Sequence, residues 1–107
     1  MTAPSSEIPD AVADSLDQIR EFCLRWHLLR LSLFGSVLRD DFRPESDIDV
    51  LIERSEQTPR GFRERDAMRD ELAELLGRPV DLVYRSGLVN PYRRWEILRT
   101  ARTIYAA

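Results

Sequence analysis

Apolar positions recur along this chain at two periods, and the switches between them predict its elements. Over residues 10–26, Val12, Leu16, Ile19, Phe22, Cys23 and Trp26 fall at helical spacing, which predicts one amphipathic helix. Residues 28–34 are a short apolar run bounded by Gly35 and read as a strand. Residues 47–53 alternate: Ile48, Val50 and Ile52 point to a core, Asp47 and Asp49 to the opposite side. Thr58-Pro59 reads as an N-cap followed by proline at the first helical position. That helix runs to Leu76, with Phe62, Met68, Leu72, Leu75 and Leu76 inward, and Gly77 ends it. Residues 79–85 predict a third strand, with Val80, Leu82 and Tyr84 on one face and Asp81 and Val83 on the other. Asn90-Pro91 repeats the cap-then-proline start of a helix to Thr100, and residues 101–105 read as a final strand. Between the first two strands, residues 37–41 suit one helical turn and Arg43-Pro44-Glu45-Ser46 a tight turn.

The order helix, strand, strand, helix, strand, helix, strand predicts an α/β (α+β) protein with a small sheet. Its helices are expected on one face and its acidic residues on the other. Residues 1–9, with two prolines and two serines, read as a loose tail, and residues 10–107 as a single domain. No apolar run approaches the ~20 residues that span a bilayer. The first residues lack the basic and apolar regions of a secretory signal, and a single cysteine suits a reducing compartment, so a cytoplasmic protein is expected. The one cysteine, Cys23, excludes an internal disulfide and lies on the apolar stripe, where a core thiol is the better reading than a nucleophile. His27, the only histidine, falls at a helix end, where a cation suits the dipole, so His-dependent hydrolase chemistry is not expected.

A net charge of −3 argues against a protein whose main work is gripping nucleic acid. All sixteen basic residues are arginine. That removes P-loop lysine and Schiff-base chemistry but leaves bidentate phosphate contacts available. The chemistry then centres on residues 31–53. Asp47 and Asp49, two apart on a strand, project together about 6.6 Å apart. Paired carboxylates repel unless a cation lies between them, and Mg²⁺, which completes its shell with water and phosphate oxygens, is the natural ion. Gly35 lets a ligand approach the backbone, and Ser36 adds a hydroxyl and an N–H suited to an anion. Asp81 is a lone acid in an apolar strand, costly to bury unless it joins the first pair.

Gly35-Ser36, ten intervening residues, then Asp47-Ile48-Asp49 resembles the signature of the DNA polymerase beta-like nucleotidyltransferase superfamily. More narrowly the chain looks like the minimal nucleotidyltransferases, the MNT antitoxins of HEPN–MNT toxin–antitoxin pairs. The likeness extends over Arg39, Pro44, Ser46, Asp81, Asn90-Pro91-Tyr92 and Tyr105, nearly all of the chain after the first helix. It implies a mixed sheet flanked by helices and a two-metal site. Asp47, Asp49 and Asp81 would bind two Mg²⁺ ions, with Asp81 also able to serve as base. Gly35, Ser36, Arg39 and Ser46 would hold the triphosphate of ATP, although Arg39 also reads as an ordinary surface arginine. Asp40 departs from the family's glycine and sets a negative charge near that triphosphate.

The resemblance implies an antitoxin that transfers AMP from ATP to a tyrosine hydroxyl of a cognate HEPN toxin. The alternatives are neutralisation of the partner by complex formation alone, and transfer to a small-molecule alcohol. Tyr92 and Trp95 read as core residues of the last helix before they read as a partner surface.

Overall fold

In a computed structural model of the chain, residues 10–35 and 47–107 are described. Four strands form one sheet: β1 (Leu28–Phe34), β2 (Ile48–Arg54), β3 (Val80–Tyr84) and β4 (Arg102–Ala106), in the order β3-β2-β1-β4. β1 runs antiparallel to both β2 and β4, while β2 and β3 are parallel. The parallel pair needs a crossover, and the helix α3 (Phe62–Leu76) supplies it.

One face of the sheet carries Leu31, Leu33, Ile48, Val50, Ile52, Val80 and Leu82, which join one buried cluster. α1 (Asp10–Ala13) adds Val12 to it; α2 (Leu16–Arg25) adds Ile19, Phe22 and Cys23; α3 adds Met68, Leu72 and Leu76. Each fully buried aliphatic side chain of this kind contributes about 1.5–3 kcal/mol. α2 and α3 are also linked by polar contacts, since Glu71 accepts from the Arg25 guanidinium and from Trp26 Nε1 at 3.0 Å. The Arg25 bond, assisted by that from Trp26, holds the Glu71 carboxyl below the usual range, against the opposing effect of partial burial.

The predicted first helix is broken. A turn at Asp14-Ser15 separates α1 from α2, with the Ser15 N–H donating to the Val12 carbonyl at 3.0 Å. The break changes the phase of the stripe, and Leu16 is left exposed while Ile19, Phe22 and Cys23 are buried. α3 also starts later than predicted, at Phe62, because Thr58 does not cap it. The Thr58 hydroxyl instead donates to the carbonyl of His27 at 2.8 Å and accepts the Ser55 N–H at 3.0 Å. Phe62, expected inward, is 88% exposed. It precedes Met68 by six positions, about one and two-thirds turns, and so points away from the Met68–Leu72–Leu76 stripe.

α4 (Pro91–Thr100) begins as predicted, with Asn90 Oδ1 accepting from the N–H groups of Tyr92 at 2.9 Å and Arg93 at 3.2 Å. Its location corrects the one-sided layering expected. Ile97 joins Phe34, Leu51 and Leu88 in a second buried cluster, with Val83, Leu98 and Ala101 packed against it. Leu51 and Val83 share strand parity with Asp49 and Asp81, so α4 lies on the acidic face of the sheet. Trp95 and Tyr92 are not core residues: they are 59% and 80% exposed. No helix among the described residues is long and apolar enough to cross a membrane.

Candidate active site

The acidic residues enter the site through strand register. Asp49 on β2 is paired with Asp81 on β3, and Phe34 on β1 with Asp49. Register partners on neighbouring strands point to one face, with strands about 4.8 Å apart. The two carboxylates are therefore neighbours by construction, Asp49 half-buried and Asp81 exposed. Asp47 has the same parity as Asp49 and is exposed just before β2, whose first residue, Ile48, donates its N–H to the Pro79 carbonyl at 2.9 Å. That bond fixes the entry of β2 against that of β3, where both acids sit.

Gly35 is placed against this pair. It follows Phe34, the register partner of Asp49, and has φ +76°, a left-handed conformation that glycine adopts freely. A Cβ built on Gly35 would overlap Asp49 Oδ2 and lie 3.2 Å from Asp49 Cγ. Backbone conformation and proximity to the carboxylate thus both exclude a side chain here. Ser36, Arg39, Asp40 and Ser46, with the predicted turns around them, lie outside the described residues.

Among the described residues no group of three or more His, Cys, Asp or Glu side chains is gathered to hold a metal ion. The arrangement still suits Mg²⁺, which commonly takes one or two carboxylates and completes an octahedral shell with water and substrate phosphate. Asp49 and Asp81 supply hard oxygen donors on one face, with Gly35 packed against the Asp49 carboxylate. The other reactive residues take no part in it. Cys23 is fully buried, and burial pushes its thiol from 9.0 up to about 12, so it is a core residue. His27 is exposed with φ +58°, where its carbonyl accepts from Ser55 and Thr58.

The same face holds features that the sequence reading did not contain. A cavity of about 340 Å³ lies beyond Leu51, bordered by Arg30, Ser32, Glu53, Arg85 and Thr103. Glu53 lies 3.8 Å from Arg30 and 3.7 Å from Arg85, an ion-paired bridge across the ends of three strands. These residues are scattered over the sequence, and no local motif marks them.

Residues 16–104 match the family model described as a nucleotidyltransferase domain. The chain is similar to "Putative protein adenylyltransferase MJ0128" of Methanocaldococcus jannaschii, 34% identical over 92 residues, covering 86% of this chain and 89% of that protein. It is also similar to a solved structure described as a "putative minimal nucleotidyltransferase". The two share 32% identity with a TM-score of 0.71, over 86% of this chain and 91% of that one. A third likeness, at 18% identity and TM-score 0.65, is one of fold. It is to a complex of a tri-AMPylated Shewanella oneidensis HEPN toxin with its MNT antitoxin, and covers 89% of this chain and 72% of that one.

Proposed function

We propose a function from this premise: the chain belongs to the nucleotidyltransferase domain family. Within that family it acts as a protein adenylyltransferase, transferring AMP from ATP to a tyrosine hydroxyl of a HEPN-type toxin and so serving as its antitoxin. The observation that carries this reading is the register pairing of Asp49 with Asp81, with Gly35 packed against the Asp49 carboxylate. The name of the Methanocaldococcus relative supports protein adenylylation, and the AMPylated toxin in the structurally similar complex supports the partner class.

Asp49 and Asp81 are the pair that would hold Mg²⁺, with Asp47 two residues before Asp49 as a further carboxylate for it; when bound, the ion supplies positive charge to the attacking and leaving oxygens of an in-line displacement. Gly35, Ser36, Arg39 and Ser46 are assigned to the phosphates of the triphosphate, and a glycine at position 35 leaves no side chain between them and Asp49. The acceptor oxygen attacks the α-phosphorus; the new P–O bond forms as the bond to the β-phosphate oxygen breaks, and pyrophosphate leaves. The hydroxyl proton goes to a base, for which Asp81 is the candidate because its exposed carboxylate stands beside Asp49.

The test is transfer of label from α-labelled ATP with Mg²⁺ onto the co-expressed product of the neighbouring gene. Labelled tyrosine on that partner is the expected result. An unlabelled partner, with a protein shown to be folded, counts against the reading.

A further inference from the structure

We propose that a cavity at the far end of β2 and β3 is a second anion site, which takes phosphoryl groups without a metal ion. The cavity, about 430 Å³, is lined by Arg54, Arg60, Arg85 and Arg94, with Glu53 and Ser86. The four arginines come from the end of β2, the connection before α3, the 3₁₀ turn after β3 and the first half of α4. Only the fold brings them together.

The charges in this cavity do not balance. Among the described residues Glu53 is the one carboxylate of the lining, and it serves both Arg85 and Arg30. Among the described lining residues, four guanidinium groups against one carboxylate leave a surplus of three positive charges in a chain whose net charge is −3. Among the described residues, Arg60 and Arg94 form no salt bridge. Arg54 is held in place from two sides: it donates to Ser86 Oγ at 2.9 Å and lies 3.9 Å from the centre of the Tyr84 ring. Like charges gathered from four segments create a positive potential that attracts an anion. Planar guanidinium forks match the oxygens of a phosphoryl group, and a partly fixed Arg54 reduces the ordering needed on binding.

This site is separate from the acidic one. Arg54 is five residues beyond Asp49 along the same strand, about 17 Å at the rise of a β-strand. The inference therefore goes beyond the transferase reading and does not depend on it. The shared chemistry is the phosphoryl group, whether from free pyrophosphate or from the phosphate chain of a nucleotide.

Calorimetric titration of the full chain with inorganic pyrophosphate in EDTA tests the proposal. Wild-type protein and an Asp49→Asn/Asp81→Asn variant should bind alike. An Arg60→Gln/Arg94→Gln variant should bind more weakly by roughly tenfold or more, as expected for the loss of charge-assisted hydrogen bonds. Thermal melts verify folding of that variant, and Arg94→Gln alone provides a milder substitution with the same expected direction. Competition by ATP in EDTA would assign a nucleotide's phosphates to the cavity; pyrophosphate binding that ATP leaves unchanged would restrict it to free pyrophosphate. Absence of pyrophosphate binding in EDTA, equal binding by the glutamine variants, or loss of binding in the asparagine variant overturns the proposal. So does binding of an acidic peptide in place of pyrophosphate.

Discussion

Asp49 and Asp81 are register partners on the parallel strands β2 and β3, so one sheet face presents two carboxylates side by side. The pairing is set by the ladder, not by a flexible loop, which gives the carboxylates a fixed relation before any ligand arrives. Replacing either by asparagine keeps the shape and removes a charge. Adenylyl transfer by Asp49→Asn or Asp81→Asn should fall by at least about a hundredfold, the scale for losing a well-placed catalytic group. Melting temperature should change little for Asp81→Asn, whose side chain is exposed. A transfer assay and a thermal melt on the same samples check both, and transfer at the wild-type rate would remove these residues from the site. If partner neutralisation survives in the inactive variant, binding alone is sufficient for it.

Gly35→Ala carries two penalties. A left-handed backbone costs an alanine about 1–2 kcal/mol, and the new Cβ overlaps the Asp49 carboxylate. The variant should fold with a lowered melting point and lose transfer about a hundredfold, as displacement of reacting groups by an ångström can do. Nucleotide transfer at the wild-type level in Gly35→Ala would refute the close approach.

Cys23 should be inert in the native protein. Its thiol is buried and raised from 9.0 to about 12, so folded protein stays protonated where an unfolded chain loses its proton. The native state then binds more protons than the unfolded state between those values, and stability falls as pH rises through that window. Below pH 9 the group contributes no pH dependence. Alkylation by a maleimide at pH 8 should be negligible until denaturant unfolds the chain, and denaturation midpoints should drop between pH 9 and pH 11.

Thr58 is 2% exposed, and its hydroxyl ties the connection before α3 to the His27 carbonyl. Thr58→Val preserves volume but leaves that carbonyl with Ser55 alone and the Ser55 N–H without its acceptor. A loss of about 1–3 kcal/mol is expected, the cost of leaving a buried polar group unpaired. Urea denaturation measures it, and Thr58→Ser should recover part of the loss.

On α4, Trp95 and Ile97 should respond in opposite ways. Ile97 is 6% exposed within the cluster of Phe34, Leu51 and Leu88, so Ile97→Ala should cost about 2–5 kcal/mol. Trp95 is 59% exposed and carries Arg99 over its ring at 4.7 Å, so Trp95→Ala should change stability by no more than about 1 kcal/mol. Equilibrium denaturation of the two variants separates a core residue from a surface one.

Local chemistry made much of this protein legible in its sequence. The alternation around Asp47 and Asp49 identified a strand and its two faces, because side-chain direction in a strand has a fixed period of two. Asn90-Pro91 marked the start of α4, and Gly77, at φ +69°, the end of α3, because cap geometry depends on only a few residues. Tertiary structure decided the rest. Pairing of Asp49 with Asp81 depends on the register of two strands joined through α3, and neither strand encodes that alone. The use of Thr58 as a tie instead of a cap and the position of α4 on the acidic face reflect competition among distant groups for the same hydrogen bonds and buried surface. The gathering of Arg54, Arg60, Arg85 and Arg94 is of the same kind: four charges from separate segments that become neighbours only when the chain folds.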